Sequence, residues 1–373
     1  MKEDKTHDDG SRTRQSPENK VHENPVQKNY VLEDFVKENK VLMAHGGGGR
    51  AARSLIQELI SPVFDNPELS RLEDAARIPG IPGNNPRVVM TTDSYVVTPR
   101  FFPGGDIGKL SVCGTVNDLV TTGARPAALS VGFILEEGFS LKELEKIIKS
   151  MKQTADSVPV ALITGDTKVV ERGRGDGIYI TTAGVGILPE GVFLSPDNIE
   201  PGDAVLINGP IGNHEAAIIS VRDKFSLGVE VVSDCTPLAR LITKITEAVP
   251  EVRCARDPTR GGVASILIEL VESSGYGITI DEDKLPVDEP VSNLCEVLGM
   301  DPLYMANEGK MVVIVPENQT KHCLEVMRSV PAGKRSTVIG SVTKDKPRLV
   351  VNTPYGSSRV VTMPKGEQLP RIC

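Results

Sequence analysis

The chain ends in a cysteine. Cys373 closes the run Leu369-Pro370-Arg371-Ile372-Cys373. A thiol at a chain end is exposed and mobile, so it can carry a group into an active site and out again. About 20 extended residues span roughly 65 Å at about 3.3 Å each, enough to reach a cleft in the same subunit or in a partner's. Pro354, Pro364 and Pro370 stiffen the stretch and remove hydrogen-bond donors, which argues against its lying in a sheet. The chain beyond Asn352 is therefore expected to be a flexible tail, 352–373, carrying a reactive cysteine.

Four aspartates form a second group. Asp93 ends Met90-Thr91-Thr92-Asp93, Asp118 lies in Val116-Asn117-Asp118-Leu119, Asp166 follows Ile163-Thr164-Gly165, and Asp257 sits in Arg256-Asp257-Pro258-Thr259-Arg260. Each stands at the edge of an apolar element, where α/β proteins place their sites. Singly, each reads as well as a cap or turn residue. Gathered, they would repel one another by about 4 kcal/mol per pair at 4 Å and an effective dielectric near 20. Magnesium relieves such repulsion and is bound by a few carboxylates together with substrate phosphates. The four are thus expected to hold metal.

Lys168, in Gly165-Asp166-Thr167-Lys168, and Glu308, in Asn307-Glu308-Gly309, suit acid–base work. A lysine can hold a phosphate or polarise an oxygen, and a partly desolvated glutamate can take a proton. His45 and His214 read as structural. Gly46-x-Gly48-x-x-Ala51 fits a dinucleotide fingerprint, yet prolines from Pro62 to Pro86 displace the strand that should follow. The Walker pattern fails, since Gly108-Lys109 is followed by Leu110 and Pro103 stands where glycine is required. Gly46, Gly47, Gly48 and Gly49 are left as either a flap over phosphates or a tight strand-to-helix turn.

The elements that must position these residues alternate. Lys40 to Ala44 reads as a short strand entering the glycines, followed by a helix from Ala51 to Ile60. Strands are expected at 88–92, 127–135, 160–164 and 178–188. Helices are expected at 112–122 and from Ser140, which opens a capping box, to about 155. A proline-rich seam from 188 to 203 separates a second unit. There 204–208, 303–305, 311–316, 337–342 and 349–351 read as strands, while 236–249, with Pro237 at its first turn, and 262–273 read as helices. Residues 1–39 are polar and mixed in charge, a disordered extension with a weak helical tendency near Tyr30 to Glu38. The expected division is 1–39 extension, 40–190 N-terminal domain, 200–351 C-terminal α/β domain, 352–373 tail.

Composition narrows the partners. The net charge is −8 with 39% hydrophobic residues, and no stretch is strongly basic, which disfavours nucleic acid and anionic membranes. No apolar run would span a bilayer, and the opening Met1-Lys2-Glu3-Asp4 region has no signal-peptide core. None of Cys113, Cys235, Cys254, Cys295, Cys323 and Cys373 forms a CxxC pair, so a zinc site is not expected and a reducing cytoplasm is.

In this order, and with this ending, the motifs resemble the HypE family of hydrogenase maturation factors, carbamoyl dehydratases of the aminoimidazole-ribonucleotide-synthetase-like superfamily. The resemblance runs from about Val41 to Cys373. It rests on His45-Gly-Gly-Gly-Gly49, Thr92-Asp93-Ser94, Asn117-Asp118, Gly165-Asp166-Thr167-Lys168, Asp257-Pro-Thr-Arg-Gly-Gly262, Asn307-Glu308-Gly309 and Pro370-Arg371-Ile372-Cys373. Without the tail, selenophosphate synthetase or thiamine-phosphate kinase would fit as well. The loop Ile211-Gly212-Asn213-His214-Glu215 departs from the family's Asp-His-Gly pattern.

The resemblance implies a two-domain α/β (α+β) protein with a four-stranded ferredoxin-like N-terminal domain, paired as a homodimer with ATP sites near the interface. It implies that a HypF-like carbamoyltransferase loads Cys373, that ATP drives dehydration of the thiocarbamate to a thiocyanate, and that a HypC/HypD-like scaffold accepts the cyano group. Asp93, Asp118, Asp166 and Asp257 would hold Mg2+ and ATP. Gly46–Gly49, Asn117, Thr167 and Arg260 would complete the nucleotide site, and Lys168 and Glu308 would serve the amide. Two rival readings are a small-molecule ATP enzyme of the same superfamily and a non-catalytic nucleotide-binding maturation scaffold.

Overall fold

The computed structural model describes residues 40–64, 66–78, 87–158, 160–223, 230–364 and 371–373. The extension 1–39 and its helical tendency lie outside them. Leu42–Cys373 forms one unit by its contacts, and the elements below belong to it.

The first sheet has the order β1-β2-β7-β5-β6. Its strands are β1 (Ala76–Arg77), β2 (Val88–Tyr95), β5 (Arg125–Glu136), β6 (Ala161–Val170) and β7 (Ile178–Ile187). Four are long, and the two-residue β1 adds to an edge. Strand β7 alternates buried and less buried positions, the mark of a sheet with one covered face. A small hairpin, β3 (Phe101–Phe102) with β4 (Gly105–Asp106), precedes helix α1 (Ile107–Thr121). Asp106 caps α1 by accepting from the Gly108 and Lys109 amides at 2.7 and 3.2 Å. Helix α1 is buried nearly all round, because it packs on β2 and β7 and also on helices α2 (Leu141–Ser157) and α4 (Ala239–Ala248). Helix α2 is amphipathic and buries Ile147, Met151, Thr154 and Ala155 at helical spacing.

The second sheet has the order β14-β13-β10-β12-β8-β11-β9. Its strands are β8 (Ala204–Ile207), β9 (Cys254–Arg256), β10 (Gly277–Asp281), β11 (Val312–Val315), β12 (Thr337–Thr343), β13 (Leu349–Asn352) and β14 (Ser358–Val361). Strands β8 and β11 are buried at every position, as strands covered on both faces must be. The covering helices include α3 (Asn213–Arg222), α4, α5 (Gly262–Ser274), α6 (Glu289–Leu298) and α7 (Thr320–Arg328). One apolar cluster runs from Val116 and Ile180 of the first sheet's layer to Leu241, Val313 and Met327 of the second. The two sheets are therefore welded through α1.

Three sequence expectations change. Lys40 to Ala44 is not a strand: Met43–Gly46 is a 3-10 turn, closed by His45 Nδ1 accepting the Leu42 amide at 2.8 Å. A five-residue apolar run does not distinguish the two conformations. Leu303–Met305 is not a strand either, because Pro302 opens a short 3-10 turn capped by Asp301. The stretch after Asn352 is not wholly a tail. The Thr353 amide donates to Ser357 O at 2.8 Å, Gly356 takes φ +79°, and the β-branched run at Val360-Val361 returns as β14 against β13. Pro354 and Pro364 flank this edge strand rather than forbid it.

Leu206 lies at the centre of the second sheet and is fully buried. Leu206→Ala is expected to cost about 2–5 kcal/mol, read as a lower urea midpoint with an unchanged slope.

Candidate active site

A cavity lies between the first sheet and the loops of the second. It is lined by Asp93, Ser94, Tyr95, Gly114, Asp118, Asp257, Thr259, Arg260, Glu308 and Cys373. The acids come from separate elements: Asp93 from β2, Asp118 from α1, Asp257 from the loop after β9 and Glu308 from the loop before β11.

Each acid is placed by a local device. Asp118 Oδ2 accepts from the Thr91 hydroxyl at 2.8 Å. Gly114, on α1, lets that helix close on the sheet, since a Cβ there would strike the Tyr95 hydroxyl. Glu308 is held by its backbone. Its amide donates to Asp234 Oδ1 at 3.2 Å and its carbonyl accepts from Asn117 Nδ2 at 3.3 Å. Asp234 is itself paired with Lys310 at 3.0 Å. Asn307 ties three loops: it donates to Pro258 O at 2.9 Å and accepts from the Gly212 amide at 2.8 Å.

The chain end enters this cavity from its own chain. Ile372 is buried and Cys373 half-buried. The Thr98 amide donates to Arg371 O at 3.1 Å, Arg371 pairs with Asp176 at 2.6 Å, and His214 Nε2 lies 2.9 Å from Ile372 O.

Residues 72–188 match a family model described as AIR synthase related protein, N-terminal domain, and 200–352 match its C-terminal domain counterpart. The protein named carbamoyl dehydratase HypE of Azotobacter vinelandii is 49% identical over 339 residues, covering 91% of this chain and 98% of its own. The chain belongs to the HypE family. A HypE solved as a HypE–HypF complex is 46% identical with a TM-score of 0.80, covering 83% of this chain and 100% of that one. A HypE solved in complex with ATP is 44% identical with a TM-score of 0.75, covering 90% and 100%.

Of the residues singled out in this HypE-family sequence, Asp93, Asp118, Asp257, Arg260, Glu308 and Cys373 share the cavity. Asp166, Thr167 and Lys168 do not. They lie on β6, in the row Ser94–Thr181–Gly132–Asp166, three strand spacings or about 14 Å from β2. There Lys168 pairs with Asp166 at 2.6 Å, both exposed. Asn117 is a brace: it donates to the carbonyls of Thr236 and Glu308 and accepts the Leu238 amide at the start of α4. The glycine run does not line the cavity but borders it, as Arg260 donates to Gly46 O at 2.9 Å and Gly48, at φ +67°, faces Arg260 where a Cβ would clash.

Sequence reasoning missed Asp74, Asp234 and the part played by His214. Asp74 is a half-buried neighbour of the acids, paired with Arg256 at 2.7 Å, and Arg256 also meets Glu269 at 3.1 Å. An acidic pair, Glu73-Asp74, ahead of Ala75-Ala76 was its only signal.

Burial, then the charges of Asp257, Asp93 and Asp74, lifts the Asp118 carboxyl well above its usual range. Burial, then Asp74, pushes Asp257 up to about 8 against the pull of Arg256. Glu308 is also raised well above the ordinary range, first by burial. Carboxylate oxygens are the kind of donor magnesium takes, but among the described residues no three acids, histidines or cysteines are grouped closely enough to hold a metal ion.

An acid raised in the folded state stabilises while protonated. Its contribution is full below the unfolded carboxylate value of about 4 and is lost as pH rises. For Asp257 that loss is complete above about 8. In protein freed of divalent cations, Asp257→Asn is expected to raise the melting temperature more at pH 8 than at pH 5. Equal shifts at both values would contradict the electrostatic reading.

Proposed function

We propose that this protein is an ATP-dependent carbamoyl dehydratase acting on its own C-terminal S-carboxamide. It converts the thiocarbamate on Cys373 to a thiocyanate, which supplies the cyanide ligands of the iron centre of [NiFe]-hydrogenase. The observation that carries this reading is the placement of Cys373 in its own chain's cavity beside Glu308, Asp93, Asp118, Asp257 and Arg260. It supports a reaction within one chain. The relatives named carbamoyl dehydratase HypE support it.

The amide oxygen of the carbamoyl group is a poor leaving group. Transfer of the γ-phosphoryl of ATP to that oxygen makes it one that departs as phosphate. The nitrogen gives up both its protons, the C–O bond breaks, and C≡N remains on sulfur with ADP and phosphate released. Glu308 is the group within the cavity suited to take a proton from that nitrogen. Its carboxylate is a stronger base for being buried beside other negative charge. Arg260 faces the phosphates. Asp93, Asp118 and Asp257 would hold magnesium, which neutralises phosphate charge during transfer. Apolar packing of Ile372 behind the thiol keeps water from the site.

The protein works as a homodimer joined through β6, the edge strand of the first sheet among the described residues, with Ile163 69% and Val169 67% exposed. Asp166, Thr167 and Lys168 then serve the nucleotide site at that interface rather than within one chain. A HypF-like carbamoyltransferase loads Cys373, and a HypC/HypD-like scaffold takes the cyano group. Among the described residues no helix is long and apolar enough to cross a membrane. A thiol that must stay reduced places the work in the cytoplasm.

The test is mass spectrometry of the C-terminal peptide after carbamoylation and addition of Mg-ATP. Loss of one water at Cys373 is expected, and an adduct that persists unchanged would sink the reading. Glu308→Gln is expected to slow the loss by about 10²–10⁴-fold with ATP binding retained. Ile163→Asp is expected to halve the mass seen in sedimentation, and an unaltered mass would exclude the β6 interface.

A further inference from the structure

We propose that His214 is the positioning residue for the reacting chain end, its ring locked by Ser233 in the tautomer that holds the Ile372 carbonyl. The proposal rests on Cys373 being the reacting group, but its test does not use the reaction.

The protons can be counted. Ile372 O carries no hydrogen and lies 2.9 Å from His214 Nε2, so Nε2 carries the proton and donates. Burial favours the neutral ring. Nδ1 is then an acceptor, 2.8 Å from Ser233 Oγ, and receives that hydroxyl's hydrogen. The Ser233 oxygen in turn accepts the Cys235 amide at 3.1 Å, which orients it. Phe102 meets the ring edge-on, with centroids 5.4 Å apart at 87°. The imidazole has neither a spare nitrogen nor room to turn.

The consequence falls on Cys373. A fixed Ile372 carbonyl fixes the next peptide plane, and the Cys373 Cα follows about 3.8 Å after its predecessor. The thiol's remaining freedom is rotation about its own bonds, inside a cavity whose far wall is Glu308 and the aspartates. Arg371, anchored to Thr98 and Asp176, sets the entry of the tail, whereas His214 sets its depth. A fully buried imidazole among apolar neighbours is costly as mere filling, because burying a polar group is unfavourable unless its partners are present.

The test is alkylation of Cys373 by iodoacetamide in the full-length, unmodified protein, read by mass spectrometry. The other five cysteines are buried and report any unfolding. His214→Ala is expected to speed Cys373 alkylation about five- to tenfold, the loss of roughly one net hydrogen bond. His214→Gln, whose amide can donate to the same carbonyl, should keep most of the protection, and Ser233→Ala should fall between. If His214→Ala exposes the buried cysteines, Ser233→Ala decides. Unchanged Cys373 alkylation in folded His214→Ala or, failing that, in Ser233→Ala overturns the proposal, as does a Gln variant no better protected than Ala. The expected alkylation pattern in a protein that performs no dehydration would keep the seat and reject the reaction.

Discussion

Mutual repulsion of buried carboxylates is the constraint that the rest of the structure serves. Asp93, Asp118, Asp257 and Glu308 line one cavity, and like charges gathered in a partly buried site oppose one another. Left to itself, such a cluster would spread or protonate. The fold prevents spreading by hanging each acid on a different rigid element and cross-bracing those elements. Asn117 joins α1 to the Glu308 loop and to the start of α4, while Asn307 joins the loops at 211, 258 and 307. Asp234 with Lys310 holds the Glu308 backbone from the other side. Behind them lies a continuous apolar cluster shared by both sheets. The strain is thus borne by hydrogen bonds and packing rather than by the site.

The same constraint explains why the reacting sulfur sits at a chain end. An internal cysteine could reach a closed acidic cavity only if the fold were built around it, and it could not leave to be loaded or unloaded. A terminal segment needs only a few breakable contacts. Among the contacts of its described residues are an amide bond to Arg371 O, an ion pair to Asp176 and the His214 hydrogen bond, together with one buried isoleucine. A net hydrogen bond contributes about 1 kcal/mol, and a partly exposed ion pair less. The sum is enough to favour docking and small enough to be reversed by a partner.

What the sequence made legible follows from how local each signal is. Asp93, Asp118, Asp257, Glu308 and Cys373 stand in short motifs whose neighbours already dictate a strand end, a helix or a turn. Residue type suggested that they gather, but it suggested the same of Asp166, which does not join them. The placement of Lys168 and Asp166 could not, because it depends on strand order: β7 and β5 lie between β2 and β6 although β7 comes last in the chain. Asn117 shows the opposite failure. A polar residue in an apolar helix announces a role, but its identity as a brace depends on partners more than a hundred residues away. His214 is the same case, since its partner is the chain end 158 residues on. The hairpin at Thr353 to Val361 was hidden by its flanking prolines, which mark an edge as readily as a tail.

Charge finally decides what a single chain can do alone. Arg260 is the one cation among the described residues lining the cavity, set against the four carboxylates of Asp93, Asp118, Asp257 and Glu308. ATP adds further negative charge. The site becomes favourable for phosphates only if positive charge arrives with the substrate or from another chain, because Arg256 and Lys310 are already committed to Asp74, Glu269 and Asp234. Magnesium, on the proposed function, would meet the first need. In the proposed dimer Lys168 would meet the second, since it is exposed on a strand at the edge of the first sheet and its ion pair with Asp166 is one that solvent keeps weak. On this argument the acidic cavity, the edge strand and the proposed dimer are one electrostatic problem.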